Sequence, residues 1–214
     1  MALINSEQGL NLPVLKHDLR IRVREALAAE WKRPDHSVHC DSLQARISSF
    51  LSRRPGVWLA YSGRLESKEV VLAPPATIEF CYPRIEEQNL VYYRPQRGVA
   101  STWQSGPFGI KEPTADRTWR RIHLEQDPEI VGVIVPGLAF DRRLMRLGKG
   151  GGYFDRFLNQ QEVKQAKILK IAVAYSCQIV TEVPVEDHDV GLDAVITEAD
   201  SVWDFRGYRK DLAS

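Results

Sequence analysis

The first regular pattern in the chain is helical and lies between Leu15 and Trp31. Leu15, Leu19, Val23 and Leu27 recur every four residues, which predicts an amphipathic helix with one buried stripe. A basic ridge repeats at the same spacing beside the stripe and consists of Lys16, Arg20 and Arg24. Like charges one turn apart repel each other mildly, so the ridge is either a solvated face or part of an anion site.

A second helix is predicted to begin at Asp41, a suitable N-cap, and to end at Arg53 before Pro55-Gly56. β-Branched and aromatic runs between turn residues then predict strands: 57–61, 77–82 (ended by Pro83-Arg84), 90–94, 133–135, 168–174 and finally 193–198. The run 168–174 shows little alternation, which is typical of a strand buried on both faces. These elements favour a three-layer α/β domain, in which helices cover both faces of a mostly parallel sheet and ligands bind at the carboxyl ends of the strands.

The stretch Val133–Leu158 carries the clearest sign of function. Its strand stops at Pro136-Gly137, and a basic loop leads to the run GKGGG at 148–152, after which apolar residues recur at helical spacing. A strand, a glycine loop and a helix together present backbone N–H groups and a helix N-terminus to a phosphate. Arg146 and Lys149 flank these glycines with positive charge, so the stretch predicts a phosphate site.

The spacing of this loop excludes two common phosphate-binding devices. A Walker loop needs Ser or Thr after its Gly-Lys pair, whereas Gly150 follows Lys149. The dinucleotide fingerprint needs a glycine where Tyr153 stands. Taken alone, the glycine run is equally compatible with a flexible surface turn.

Composition narrows the class of protein. With 214 residues the chain fits one α/β domain with a sizeable core. Its 29 Lys and Arg residues balance 28 Asp and Glu residues, so no charge bias points to nucleic acid or a membrane as a partner. The first residues show no secretion signal. Three widely spaced cysteines, Cys40, Cys81 and Cys177, indicate reduced thiols in a cytoplasmic protein and not a disulfide framework or a zinc site.

Two neighbouring motifs carry a family resemblance. Pro-Gly-Leu-Ala-Phe-Asp at 136–141, followed by Arg-Leu-Gly-Lys-Gly-Gly-Gly-Tyr-Phe-Asp at 146–155, resembles the signature of the 5-formyltetrahydrofolate cyclo-ligase family, also called methenyltetrahydrofolate synthetase. Weaker matches run in the family's order from Lys16 to Glu198: Lys-x-x-Leu-Arg at 16–20, Pro-Arg at 83–84, Gly-Ile-x-Glu-Pro at 109–113, and aromatic-x-x-Gln at 175–178. The resemblance implies a single domain over 1–214 with its motif-bearing core at about 12–200.

The resemblance also implies a reaction. Family members close 5-formyltetrahydrofolate, with or without a polyglutamate tail, to 5,10-methenyltetrahydrofolate, with ATP as co-substrate, Mg²⁺ as cofactor, and ADP and phosphate as products. The same resemblance implies a cytoplasmic ligase that is a monomer or a weak homodimer, with neither a nucleic acid nor a membrane as partner.

Residue by residue, the family's site maps onto this chain as follows. The implied ATP contacts are Lys16, Arg20, Arg146, Leu147, Gly148, Lys149, Gly150, Gly151, Gly152, Tyr153 and Phe154. The implied substrate contacts are Tyr61, Glu66, Lys149, Gly150, Gly151, Gly152 and Tyr153. Arg146 and Lys149 are the catalytic candidates, because they would neutralise charge on the transferring phosphoryl group. The implied metal ligands are Asp155 and Asp189.

Two departures from the family pattern keep alternatives open. Relatives carry glycine where Leu144 stands, and many carry an acid where Arg64 stands. If the loop needs a positive φ at 144, leucine strains it; otherwise the loop takes another path and Leu144-Met145 packs on the folate or on the loop itself, which the apolar pair favours. The departures suit a non-catalytic paralogue that binds nucleotide or folate in a regulatory role. A different α/β enzyme that binds a sugar phosphate or a coenzyme A thioester is the second alternative.

Overall fold

The two helical patterns near the start of the chain form the helices α1 (Leu12–Glu30) and α2 (His36–Ser52). The computed structural model describes residues 11–63 and 68–203. Two shorter helices lie after the glycine run, α3 (Tyr153–Asn159) and α4 (Gln161–Gln165). Short 3-10 turns occupy Pro107–Gly109 and Ser176–Gln178. Among the described helices, none combines the length and the apolar composition that a bilayer crossing requires.

The strands of the main sheet confirm the predicted architecture. In chain order they are β1 (Gly56–Leu59), β2 (Ile78–Glu86), β3 (Asn89–Pro95), β4 (Trp103–Ser105), β5 (Lys111–Pro113), β6 (Trp119–Arg121), β7 (Ile130–Ile134), β8 (Ala139–Asp141), β9 (Arg146–Leu147), β10 (Leu169–Val173), β11 (Ile179–Val180), β12 (Ala194–Ile196) and β13 (Ser201–Trp203). Eight of them form one sheet in the order β13-β12-β10-β7-β1-β2-β3-β6. Its centre, from β12 to β2, is parallel, and β13, β3 and β6 add antiparallel edges.

Alternation along the parallel strands divides the core into two halves. In β1, Trp58 packs on the face that α1 and α2 cover, while Val57 and Leu59 pack on the opposite face with α3 and α4. The other central strands divide in the same way, because successive strand residues point to opposite faces. A parallel sheet must be covered on both sides, and the two helix pairs supply that cover. The structure is therefore the expected three-layer α/β domain.

Gly132, in the centre of the sheet, is required to be glycine by the indole ring of Trp58, which packs against it. Trp58 is completely buried, and its Nε1–H donates to Arg54 O at 3.2 Å. A Cβ atom at Gly132, the partner of Trp58 on β7, would lie 2.5 Å from the indole ring and 2.8 Å from Leu169 O. Only glycine leaves room for the ring at this position.

Two predicted boundaries are wrong. Asp41 lies within α2, which begins at His36 and not after Asp41, because His36 and His39 bind the carboxylate of Glu30 at the end of α1. Strand β2 continues through Pro83 to Glu86. It pairs with β1 only as far as Cys81 and with β3 from Tyr82 onward, so proline lies where the strand has a single neighbour.

The basic loop before the glycine run also contains structure that the sequence did not predict. Its two ends form the hairpin β8–β9, with Ala139 opposite Leu147 and Phe140 opposite Arg146. A further strand, β13, follows β12 and pairs with it in antiparallel fashion.

Leu144, at the tip of this hairpin, has both a strained backbone and a buried side chain, the two possibilities that the sequence left open. Its φ is 66°, in the left-handed region that costs a residue with a Cβ about 1–2 kcal/mol. Its side chain is 4% exposed and packs in the core on the α3 side. Its N–H donates to Asp141 O, and its C=O accepts from Leu192 N–H, each at 2.9 Å. The backbone thus keeps a shape that glycine adopts easily, while apolar burial offsets the strain.

We expect the strain and the burial at Leu144 to separate in a pair of variants. Leu144→Ala should lower the free energy of unfolding by about 2–4 kcal/mol, because it removes buried side chain and keeps the strain. Leu144→Gly should lower it by about 1 kcal/mol less, because glycine tolerates the positive φ. Urea denaturation measures both values. Met145, next in the chain and without a positive φ, supplies the control: there glycine should be the less stable of the two. Equal stability of Leu144→Gly and Leu144→Ala would contradict the assignment of backbone strain to position 144.

Candidate functional site

A cleft of about 370 Å³ opens at the carboxyl ends of β1 and β7, where parallel α/β sheets bind their ligands. Its walls are mainly apolar, and they come from segments far apart in the sequence. The lining residues are Tyr61, Ser62, Glu69, Pro83, Ile85, Leu90, Phe108, Ile110, Glu112, Pro136, Gly137, Arg146, Gly148, Lys149, Gly151, Gly152, Tyr153, Phe154 and Asp155. The predicted phosphate loop therefore forms one wall of a pocket large enough for a small molecule.

The glycine loop takes a backbone path that favours glycine at two positions. Gly150 has φ 111° and Gly152 has φ 67°, and Gly152 is the N-cap of α3. Residues with a Cβ rarely adopt these values. The loop also meets α1, because Arg20 Nε–H donates to Gly148 O at 3.0 Å. Helix α1 thus brings its basic ridge to the glycine loop, as a shared anion site requires.

Arg146 is held rigidly at the floor of the cleft. Its side chain is 4% exposed; Nη1–H donates to Pro136 O at 3.2 Å, and Nη2–H forms a short ion pair with Asp155. A planar guanidinium fixed in this way presents its charge with little freedom left to lose. Leu147 follows in β9 with its side chain in the core, so any nucleotide contact there falls to its backbone.

Lys149, the other catalytic candidate, has a side chain that is 44% exposed and forms an ion pair with Glu69 across the cleft. Both residues line the cleft. A flexible, partly solvated ammonium group is able to follow a phosphate more easily than the fixed guanidinium of Arg146. The two cations therefore differ in freedom while facing the same pocket.

Lys16, on the basic ridge of α1, bridges two carboxylates. Its Nζ–H groups donate to Glu186 Oε2 and Asp189 Oδ2, each at 2.8 Å. Burial opposes ionisation of Asp189, but hydrogen bonds from Lys16 and from the Glu186 N–H outweigh it and keep the pKa of Asp189 below its usual value. The pKa of Lys16 is raised in turn, because the hydrogen bonds to both carboxylates outweigh the effect of its burial.

Asp155 and Asp189 are held by different cations, Arg146 and Lys16 respectively. Within the described ranges, the ligand atoms of Glu186, His188 and Asp189 lie within 4.8 Å of one another, and Asp155 is not part of this group. Asp155 instead faces the cleft beside the glycine loop. The assignment of these two aspartates to one metal ion stays a prediction.

Other lining residues of the cleft belong to the folate side of the predicted site. The hydroxyl of Tyr61 donates a hydrogen bond to Val70 O at 3.0 Å, which leaves the ring as the part that lines the cleft. Burial raises the pKa of this hydroxyl. Glu66, the other predicted contact on this side, lies outside the described residues. Arg84, the arginine of the Pro-Arg match, does not line the cleft and is held by Glu86 and the Tyr93 hydroxyl.

Several lining residues were not among the predicted contacts, and three of them carry an acidic or aromatic side chain: Glu69, Phe108 and Glu112. Phe108 has φ 62° and is 65% exposed, with its ring 6.2 Å from that of Tyr153. Glu112 is 4% exposed and accepts from Ile85 N–H at 3.4 Å. Burial raises the pKa of Glu112. The signal for Glu112 was present in the sequence, since it is the acid of the Gly-Ile-x-Glu-Pro element.

Comparison with known proteins agrees with this geometry. A model of the 5-formyltetrahydrofolate cyclo-ligase family matches residues 15–198. A probable 5-formyltetrahydrofolate cyclo-ligase of Schizosaccharomyces pombe is 34% identical over 42% of this chain and 47% of its own length. The 5-formyltetrahydrofolate cyclo-ligase of Escherichia coli strain K12 is 41% identical over 34% of this chain and 38% of its own length. These alignments span less than half of either relative.

A solved structure matches over a longer part of the chain. The solution structure of 5,10-methenyltetrahydrofolate synthetase from Aquifex aeolicus superposes with a TM-score of 0.68 at 26% identity, and the match covers 92% of this chain and 97% of that one. A second structure, of a 5,10-methenyltetrahydrofolate synthetase from Mycoplasma pneumoniae, has a TM-score of 0.61 at 19% identity over 86% of this chain. The second match supports the fold alone.

We expect Asp155 to stabilise the protein through Arg146. Asp155→Asn should lower the free energy of unfolding by about 1–2 kcal/mol, because the buried guanidinium loses its counter-charge; the quarter exposure of Asp155 keeps the value below that of a fully buried pair. In an Arg146→Met background the same change should cost clearly less. Asp187→Asn, at an exposed neighbour of Asp189, should change stability by no more than about 0.5 kcal/mol. An additive double-mutant cycle would contradict the coupling.

Proposed function

The chain belongs to the 5-formyltetrahydrofolate cyclo-ligase family, and on this premise we propose that it uses ATP to close 5-formyltetrahydrofolate to 5,10-methenyltetrahydrofolate, with release of ADP and phosphate. One observation supports the proposal most. The glycine loop, with Arg146 and Lys149, forms a wall of the same cleft whose other walls are apolar and aromatic. Such a cleft suits a triphosphate on one side and a planar ring on the other.

The proposed reaction needs a phosphoryl transfer because an amide-like oxygen is a poor leaving group. The formyl oxygen attacks the γ-phosphorus of ATP, an O–P bond forms, and ADP leaves. The nitrogen at position 10 of the folate then attacks the activated formyl carbon and loses its proton to solvent, and the oxygen departs as phosphate. No protein nucleophile takes part, so the protein's contribution is to align the two substrates and to stabilise charge.

Three groups of the chain perform that work in the proposal. Arg146 supplies a fixed positive charge at the floor of the cleft, and Lys149 leaves Glu69 to follow the transferring phosphoryl group. Backbone N–H groups of the glycine loop bind phosphate oxygens. Arg20 holds the loop to α1 through Gly148 O, and together with Lys16 it extends the positive surface toward the rest of the triphosphate.

The residues near α1 also suit Mg²⁺, which prefers a few carboxylates together with phosphate oxygens and water. Glu186 and Asp189 offer carboxylate oxygens close together, and Lys16 Nζ already lies between them. We propose that Asp189 and Asp155 hold the ion, as the resemblance implies. When bound, Mg²⁺ would neutralise phosphate oxygens of ATP. We place the reaction in the cytoplasm, where the free thiols stay reduced.

On the folate side we propose that Tyr61 and Phe108 flank the pterin and that Glu69 accepts hydrogen bonds from its N–H groups. Carboxylates are the acceptors suited to adjacent amino and ring N–H donors. Glu69 lies in the cleft within reach of Lys149, whereas the predicted contact Glu66 lies outside the described residues.

The overall proposal is tested by mixing the purified protein with ATP, Mg²⁺ and 5-formyltetrahydrofolate. Absorbance of the methenyl product and release of phosphate should rise together at equal amounts. A protein that binds folate or nucleotide without either signal would be the non-catalytic paralogue. Hydrolysis of ATP independent of the folate would point to the other class of α/β enzyme.

We expect Lys149→Ala to lower turnover by at least about tenfold, because a cation on a transferring phosphoryl group contributes a few kcal/mol. Lys164→Ala, which removes an exposed lysine of α4 outside the cleft lining, is the matched control and should keep wild-type turnover. Steady-state product formation at saturating ATP measures both. Unchanged turnover in Lys149→Ala would remove this lysine from the mechanism.

A second pair of variants decides between the two acids of the folate side. Glu69→Gln should raise the KM for 5-formyltetrahydrofolate by about tenfold or more, since hydrogen bonds to a charged acceptor contribute about 1.5–3 kcal/mol. Glu66→Gln should change it by less than about threefold. Glu69→Gln also removes the ion pair with Lys149. The KM for ATP, measured in parallel, shows whether the loss of this ion pair contributes to the effect. The opposite ranking of the two variants would return the role to Glu66.

A further inference from the structure

A second chemically active cluster lies where α1 ends and α2 begins, apart from the residues that line the cleft. It contains the carboxylate of Glu30, the imidazoles of His36 and His39, and the thiol of Cys40. Glu30 is ten residues beyond Arg20 on α1, which corresponds to about 15 Å along the helix axis. The proposed phosphoryl transfer uses none of these four side chains.

The carboxylate of Glu30 fixes the protons of both histidines. Glu30 is 7% exposed, and its Oε1 lies 2.7 Å from His39 Nδ1 and 3.2 Å from His36 Nδ1. Burial opposes its ionisation, but the hydrogen bonds from His39 and His36 keep its pKa below the usual value. An ionised carboxylate only accepts hydrogen bonds. Both Nδ1 atoms therefore carry their protons and donate them to Glu30.

This tautomer aims the lone pair of His36 at a thiol. His36 Nε2 lies 3.4 Å from Cys40 Sγ, so with the ring proton on Nδ1 this nitrogen accepts a hydrogen bond from the S–H group. Tyr175 Oη lies 3.1 Å from the same sulfur; burial raises the pKa of Tyr175, so it remains a phenol able to donate to a thiolate. Ring contacts with Trp31 at 4.7 Å and Tyr175 at 5.3 Å hold the His36 ring in place.

We propose that Cys40 is a nucleophilic thiol, activated by His36 and Glu30, that forms a mixed disulfide with small disulfide molecules. The Cys40 proton moves to His36 Nε2, and the imidazolium is held by the Glu30 carboxylate. The thiolate attacks one sulfur of the small disulfide, a new S–S bond forms, the old one breaks, and the second sulfur leaves as a thiolate. One thiol and one disulfide are consumed, and one of each is produced, so no further oxidant is needed.

Other charged groups surround the cluster, and Arg33 Nε also faces the Glu30 carboxylate, 3.7 Å from its Oε2. His39, whose pKa is raised by its hydrogen bond to Glu30, shares that carboxylate with His36. Arg33 and Asp35 pair with each other at 2.8 Å beside it. The carboxylate of Glu198 lies on the far side, where it accepts from Ser176 N–H at 2.9 Å.

The two other cysteines lack this environment. Cys81 is completely buried in the sheet, and burial raises its pKa. Cys177 is half-buried, and burial raises its pKa to about 12. A thiol attacks as its thiolate, so both should react slowly at neutral pH. Cys40 is half-buried as well, but it alone of the three has a hydrogen bond to an imidazole among the described contacts.

The test is the reaction of the folded full-length protein with dithiobis(nitrobenzoate), an aromatic disulfide that releases a yellow thiolate, at neutral pH. We expect one equivalent to react fast. That fast phase should vanish in Cys40→Ser and persist in Cys177→Ser. His36→Ala should slow it by at least about tenfold, because the thiolate is the attacking species and an unassisted thiol is mostly protonated at neutral pH, and added imidazole should restore part of the rate. Glu30→Gln should also slow it, because Glu30 positions His36.

His39→Gln is the matched control, since it removes the other hydrogen bond to Glu30 without touching the sulfur; its rate should stay within about threefold of wild type. Circular dichroism of each variant and the rates in denaturant, where all thiols are equivalent, separate loss of activation from loss of fold. A fast phase that survives Cys40→Ser overturns the proposal. A rate in folded His36→Ala equal to that of wild type, or one that imidazole does not raise, overturns it too.

Discussion

The carboxylate of Asp141 is completely enclosed, and it accepts hydrogen bonds from three backbone N–H groups, those of Arg143, Met145 and Val183, at 2.9, 3.0 and 2.9 Å. The guanidinium of Arg143 adds two more at 2.8 and 3.0 Å. A buried charge persists only when it is paired in this way. The bonds to 143 and 145 close the tip of the β8–β9 hairpin, and the bond to Val183 ties the hairpin to a distant segment. The path of the chain into the glycine loop depends on this carboxylate.

The same hairpin explains how the site tolerates an unusual residue. Its tip requires a left-handed residue at Leu144, and the leucine side chain turns into the core on the α3 side while its C=O binds Leu192. Strain at the tip is thus offset by packing, and β9 keeps Arg146 aimed at the cleft floor. Rigid support of this kind is what an electrostatic site needs, because its donors must already point at the developing charge.

Charge balance is the second property that organises the cleft. Three cations of the predicted phosphate side have acidic partners: Asp189 and Glu186 for Lys16, Asp155 for Arg146, and Glu69 for Lys149. In the proposed reaction, an incoming triphosphate with its metal ion would exchange partners with these pairs instead of entering an unbalanced positive pocket. In that proposal the exchange makes the cleft selective for an anion that brings a cation with it. An anion alone would take the lysine and arginine groups from their acids and leave these carboxylates without a counter-charge.

The sequence by itself determined the elements whose signal is local. The stripe of α1, the β-branched strands and the glycine run each follow from near-neighbour spacing, and the family motif at 136–155 singled out a loop that lines the cleft. Tertiary structure decided what depends on distant partners: α2 begins at His36 because Glu30 receives its imidazole, and β2 continues past Pro83 because β3 pairs with it there. It also brought Glu69 and Phe108 into the cleft. Hydrophobic periodicity indicates which residues are buried. A polar side chain that binds a partner distant in the sequence produces no periodic pattern, so its partner cannot be predicted from spacing.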